Sequence, residues 1–309
     1  MSAAGGESAG RRALIGYALV AGAASSWGFW PWFLRHAEAY GPIDAALEST
    51  VALGILTIAS GALMLRDRLP VKATKLAWAG VTWLGVGDAL NDLFFFKAYQ
   101  TTTVAVAVLT HYLTPILVAV AAPFLLREKS DPRTKIAVAL SFGGLVLLLE
   151  PWQTVLARSL VLGAMFGAAS AVFYASNVIV NKVLVPTFSG SEMSFWHGVV
   201  ATPLVAAFVP AGAWSRLDPR ALGWLFAGSC GPGALAGLCF VWGLRRIDAT
   251  RASTLTLLEP LVATCIVGAI VFGERPGALA LLGGVLILVG TAIALGRSGA
   301  GRERRAASV

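Results

Sequence analysis

The sequence predicts an all-α polytopic membrane protein with ten transmembrane helices, arranged as two inverted-topology five-helix repeats. Three observations carry this prediction. Of the 309 residues, 57% are hydrophobic and only 13% charged, and the mean hydropathy is +0.75. A soluble chain covers itself with roughly 25% charged residues, so most of this apolar surface must face lipid. Apolar runs of about 20 residues, the length that crosses a bilayer, follow one another along almost the whole chain. Finally, Thr114-Pro115 and Glu259-Pro260 stand 145 residues apart and bring their neighbours into register.

The ten runs are 13–34, 43–65, 76–96, 103–126, 136–152, 160–181, 192–213, 221–244, 252–272 and 277–296. The first follows Arg11-Arg12 and has the basic start of a signal peptide, but it is too long, lacks a convincing cleavage site and precedes nine more spans. It is expected to be retained. The short gaps between runs hold most of the basic residues, so the net charge of +8 reports topology and not a nucleic-acid partner. With the N-terminus in the cytoplasm, 18 Lys and Arg fall inside and 6 outside. That bias orients the chain, and an even number of spans returns the C-terminus to the cytoplasm. The division expected is a disordered cytoplasmic stretch 1–12, repeats at 13–152 and 153–296, and a basic cytoplasmic tail 297–309. Cys230, Cys239 and Cys265 lie inside late spans without metal-ligand spacing, and neither a metal nor a cofactor is expected.

Further pairs share the offset. Arg127-Glu128 meets Gly273-Glu274, and Gly144 meets Gly290, each at 146. Five helices per copy is an odd number, so the second copy must be inserted upside down, with a binding site near mid-membrane where the halves meet. These segments also resemble a known family. Ser26-Trp27-Gly28, Leu113-Thr114-Pro115-Ile116, Leu258-Glu259-Pro260-Leu261 and Gly273-Glu274-Arg275-Pro276, in this order and spacing over residues 13–296, resemble the drug/metabolite transporter superfamily in its ten-helix EamA-like branch. The resemblance implies a central cavity lined by helices 1, 3, 4, 6, 8 and 9, alternating access, and substrates among amino acids, amines, sugars, nucleosides and drugs, often moved outward. Glu48 departs from the family pattern, which often has Arg or a neutral residue there.

A charge inside a span costs about 2.5–3.5 kcal/mol on insertion scales, which makes each one a functional candidate. In the third span Asp88 and Asp92 lie four apart, on one helical face, with Asn91 adjacent and Tyr99 further along. They suit a proton relay or a cationic amine, or else a structural role such as pairing with Lys97. Glu259 stands mid-span beside Pro260, in the repeat position of Thr114. Pro115 and Pro260 are read as a paired hinge, because each removes a backbone donor and frees a carbonyl one turn earlier. Glu259 then serves the substrate or the freed backbone. Glu48 is either a helix-start charge or a site group, and Glu192 the former. His111, next to Tyr112, is a proton carrier or a buried structural residue. Trp27, Phe173 and Trp242 line the cavity or pack, and Asn177 positions a substrate or, with Asn181, ties helices together. No intramembrane Arg is expected at the site.

These features favour a secondary transporter that exports an amino acid, amine or drug-like cation, driven by protons or a gradient, over an intramembrane enzyme, for which no constellation is found. Neither is there a phosphate-binding loop for ATP. A lipid-linked translocator on the same fold and an uptake carrier stand as alternatives. The expected partners are a small-molecule substrate, protons and the bilayer of a bacterial inner membrane, in a monomer or homodimer.

Overall fold

The computed structural model describes residues 9–67, 69, 71–128, 131–153, 158–273 and 275–295. Glu274 of the matched pair, Arg68, Lys129 and the tail expected at 297–309 lie outside the described residues. Helix and turn account for these residues, with no strand among them. Helix α1 (Ala9–Trp27) continues past a two-residue break into α2 (Trp30–Glu38). It starts four residues before the expected span, so Arg11 and Arg12 ride on helix. Then follow α3 (Ala45–Asp67), α4 (Lys75–Thr101), the broken pair α5 (Val104–His111) and α6 (Thr114–Leu125), and α7 (Pro132–Leu149), which closes the first half. The second half holds α8 (Arg158–Leu184), α9 (Gly190–Ala206), the short α10 (Ala213–Arg216), and α11 (Pro219–Gly228) running through a π-helical segment Ser229–Leu235 into α12 (Ala236–Leu244). Helices α13 (Ala249–Leu255) and α14 (Leu258–Leu261), a second π-helical segment Val262–Val271 and α15 (Ala278–Leu295) complete it.

The helix starts follow local chemistry. Thr74, Thr103, Asp131, Ser189 and Asp218 each accept from an orphan N–H of the turn they precede, and Pro132 and Pro219 occupy first positions where a missing N–H is harmless. Glu150 ends α7 in the left-handed region, at φ 43, just before Pro151.

Eight helical stretches among the described residues are long and apolar enough to cross a membrane, against the ten expected. The runs 76–96 and 192–213 are the two that fall short. Helix α4 has 27 residues, but Asp88, Asn91 and Asp92 lower its hydropathy, and α9 stops after 17 residues. The other eight expected spans coincide with the observed stretches to within a few residues at most ends.

The two halves pack through reciprocal contacts. Helix α3 crosses α9, with Gly54 against Thr202 and Thr57 against Gly198. The Thr57 and Thr202 hydroxyls, themselves 145 apart in sequence, lie 3.4 Å from each other. Gly16 packs on Arg246 and Ile247 where α1 meets α12, and Gly163 packs on Thr102 where α8 meets α4, so the same junction occurs twice. Helices α7 and α15 run antiparallel, Ser141 facing Gly290 and Leu148 facing Gly283. Their backbones touch: a Cβ on Gly283 would sit 2.4 Å from the Gly144 carbonyl oxygen, and one on Gly144 would sit 2.6 Å from that of Gly283. Only small residues permit this approach, in which backbone Cα–H groups reach facing carbonyls.

Candidate functional site

The carboxylates of α4 turn toward neighbouring helices. Asp88 Oδ2 lies 2.9 Å from Nε2 of His197 on α9, not beside Lys97. One turn further, Asp92 accepts from the Asn91 amide at 3.3 Å and is in reach of the Ser49 hydroxyl on α3. Glu48 precedes Ser49, accepts from the Trp30 indole N–H and feels the charge of Asp92. Three acidic groups from two helices thus gather with His197 opposite.

The second centre is Glu259. Its carboxyl meets the hydroxyl of Tyr112, which is buried, and so serves a side chain and not the freed backbone. Tyr99 is within electrostatic reach of both Glu259 and Glu48, and Tyr174 of both Glu259 and Asp88. The Tyr174 ring stacks on His111 and the Tyr99 ring lies edge-on to Phe95, 4.7 Å away.

Both proline-bearing helices are interrupted beside these groups. Pro115 has no N–H to offer the His111 carbonyl four residues back, and the Thr114 hydroxyl donates to it instead, at 2.8 Å. Pro260 likewise leaves the Thr256 carbonyl, which the Glu259 N–H takes at 3.0 Å. The breaks fall at Tyr112–Leu113 and Thr256–Leu257, one repeat apart. The first is held from α8: the His111 ring lies parallel to Tyr174 at 5.4 Å, and its Nδ1 is 2.7 Å from the Ser170 hydroxyl.

The remaining candidates lie elsewhere. Asn177 donates to the Leu84 carbonyl at 3.1 Å in the space left by Gly87, tying α8 to α4, and Asn181 donates to the Asn177 carbonyl. Trp27 packs on Phe240 with ring centres 5.3 Å apart, and Trp242 packs on Gly190 at the start of α9. Phe173 stacks on Phe94 at 5.7 Å on another flank of α4, while its neighbour Tyr174 stacks on His111. On that other flank Leu90, Leu93, Phe94, Lys97, Phe166 and Phe208 line a cavity of about 430 Å³. An Arg does lie within a span: Arg251 is 4% exposed, but it reaches the Tyr17 hydroxyl, Asp131 at 3.4 Å and Asp248 at 3.6 Å, away from the acidic centres.

Those contacts close one end of the bundle. Both Glu128 oxygens accept from the Ala249 N–H, at 2.8 and 3.1 Å, and the Lys182 ammonium donates to the Leu244 and Ile247 carbonyls. Burial holds the Glu128 carboxyl above its ordinary range, more than the Ala249 N–H lowers it. Among the described residues no group of three or more His, Cys, Asp or Glu is placed to hold a metal.

Sequence reading missed Ser170 and Ser49, and ranked His197 low and Trp30 as one aromatic among several. Their partners are 18 to 109 residues away, and only the packing of the helices brings them together.

A bundle of apolar helices, built twice and enclosing sparse carboxylates at paired helix breaks, is the architecture of a membrane transporter. The chain belongs to the EamA-like transporter family, whose model matches residues 14–150 and 161–296. It is similar to an uncharacterized transporter of Archaeoglobus fulgidus, 29% identical over 279 residues, covering 85% of this chain and 98% of that one. It is also similar to the uncharacterized transporter YxxF of Bacillus subtilis, 26% identical over 67% of this chain and 66% of that one. A crystal structure shares the fold, with a TM-score of 0.75 and 19% identity over 92% of this chain and 97% of that one.

Proposed function

We propose that the chain is a secondary transporter of a small amine-bearing molecule, an amino acid or organic cation, moved outward by alternating access and driven by protons or by the substrate gradient. The observation that carries this reading is the gathering of buried acidic groups inside an apolar bundle, Glu48, Asp88 and Asp92 with His197, and Glu259 hydrogen-bonded to Tyr112. Carboxylates attract an ammonium group, tyrosine faces favour a cation, and Arg251 is engaged with acidic groups of the chain itself, which disfavours an anionic substrate. Asp88, Asn91, Asp92, Glu259, Tyr112 and Glu48 are the proposed substrate or proton groups, and Pro115 and Pro260 the hinges. Trp27 stays with them as an aromatic wall, whereas Asn177, Phe173 and Trp242 are assigned to packing.

In this reading α4 and α9 cross the membrane with the other eight, as ten helices in two inverted repeats. The reciprocal contacts at offsets near 145 support it. The end that gathers Arg12, Lys182, Arg245, Arg246 and Arg251 faces the cytoplasm of a bacterial inner membrane, by the positive-inside bias. Both termini then lie on that side. The lateral cavity beside Phe94 and Lys97 favours, as a second reading, a lipid-linked substrate, but it opens on a different flank of α4 from the carboxylates.

The test is charge movement on a solid-supported membrane bearing proteoliposomes, challenged at two pH values with aliphatic amines, neutral and basic amino acids, quaternary cations and organic acids. Currents are expected from amine-bearing compounds and their loss in Asp88→Asn and Asp92→Asn. Currents from organic acids alone, or wild-type currents in both variants, would overturn the proposal.

A further inference from the structure

Two adjacent residues just before the first helix break face different carboxylates. His111 leads to Asp92 through Ser170 and Asn91, and Tyr112 meets Glu259 directly. Ser170 is 0% exposed, His111 8% and Asn91 9%, so no bulk water substitutes for a lost link.

The direction of each hydrogen bond follows from counting protons. Asn91 offers its amide N–H to Asp92, a carboxylate that can accept, and this turns its carbonyl oxygen toward α8. The Ser170 hydroxyl gives its single proton to that oxygen at 2.9 Å. Its Oγ must then accept from His111 at 2.7 Å, which places the imidazole proton on Nδ1. All three donors point the same way, from His111 through Ser170 and Asn91 to Asp92, and each bond polarises the next. An amide passes no proton without changing tautomer, so this chain transmits orientation and is not a proton wire. The Thr114 hydroxyl, lying 2.8 Å from the His111 carbonyl oxygen and 3.3 Å from that of Ala171, fixes the break against the turn of α8 that carries Ser170.

We infer that the break after His111 couples the two carboxylate centres, and that Ser170 is the positioning residue through which a change at Asp92 reaches it. The inference rests on the transport reading for its purpose: a cation neutralising one centre would be felt at the hinge and at the other. Of the two sequence readings of His111, proton carrier or buried structural residue, an orienting donor is nearer the second.

The experiment needs no substrate, so failure of the transport reading leaves it intact. Amide hydrogen exchange of the full chain in detergent, followed by mass spectrometry over residues 104–118, is compared for the wild type, Asp92→Ala, Ser170→Ala and the double variant. Asp92→Ala should speed exchange there about fivefold, a coupling of the size found within one hydrogen-bonded network. In the Ser170→Ala background the same substitution should add nothing further. Asp88→Ala, on the same face but outside the chain of donors, should leave the segment unchanged. Equal acceleration in both backgrounds, or an equal effect of Asp88→Ala, would overturn the inference. Ser170→Cys, which keeps the volume and weakens the donor, gives the same comparison should Ser170→Ala fail to fold.

Discussion

Helix α4 and its counterpart in the second half, α11 through α12, occupy equivalent places in a twice-built bundle but carry opposite chemistry. An offset of 145 lays Asp88 on Gly233 and Asp92 on Gly237. In the first half the two positions project carboxylates inward. In the second they are bare backbone, Gly237 lying beside Leu56, and the helix widens into a π segment at Ser229–Leu235 that contains Pro232. The helix breaks differ in the same sense, with Thr114 in one half and Glu259 in the other. Repetition thus extends to architecture and stops at charge. Physical cost explains the asymmetry, since each further intramembrane carboxylate would add about 2.5–3.5 kcal/mol and repel those already present.

This contrast can be broken or sharpened by substitution. The largest effect is expected where chemistry resides: Asp88→Asn should lower flux in proteoliposomes by about 100-fold, equivalent to roughly 2.7 kcal/mol. Gly233→Ala and Gly237→Ala, whose new Cβ atoms would meet only ordinary contacts at 3.6 Å or more, should stay within about twofold of wild type. Comparable losses in all three would mean that the positions are equivalent after all.

Next in size is the glycine contact between α7 and α15. Gly283→Ala collides with the Gly144 carbonyl and should destabilise the bundle by about 1–3 kcal/mol, read as a lower melting temperature in detergent. Flux per folded molecule should change far less than in Asp88→Asn.

Giving the second break the residue of the first, Glu259→Thr, should cut flux about tenfold, or roughly 1.4 kcal/mol. Rescue of that loss by Thr114→Glu would show that the two breaks are interchangeable. The asymmetric surroundings, Tyr112 lying beside Glu259, predict no rescue.

The smallest effect concerns Glu128. Its folded carboxyl titrates above the ordinary 4.5, so between those values the folded chain holds a proton that the unfolded chain has lost. Stability from this group is therefore full below the ordinary value and declines as pH rises through the raised one. Melting temperature against pH should have a slightly flatter slope upward from 4.5 in Glu128→Gln than in wild type, and parallel curves would contradict this.

The fold was largely readable because apolar length is a local property, and eight of ten runs meet that standard in three dimensions. Helix α4 falls short because the feature that makes it a candidate, its Asp88 and Asp92 pair, also lowers its hydropathy. The acidic candidates were legible for the same reason: a charge in an apolar run is visible without a structure. Their partners were not. Nothing local relates Asp88 to His197 or Asn91 to Ser170, and a helix that is apolar on every side gives no sign of which face turns inward. Phe173 and Tyr174, about 100° apart round one helix, are alike in sequence, yet one stacks on Phe94 and the other on His111.

The backbone contact of α7 with α15 has one more consequence. Side chains that interlock can exchange rotamers and slide, but two backbones in touch at Gly144 and Gly283, with Gly290 against Ser141, have nothing to rearrange. Such a pair suits the part of the bundle that stays fixed, so spin labels placed on it should report constant distances while labels around Pro115 and Pro260 report any displacement there.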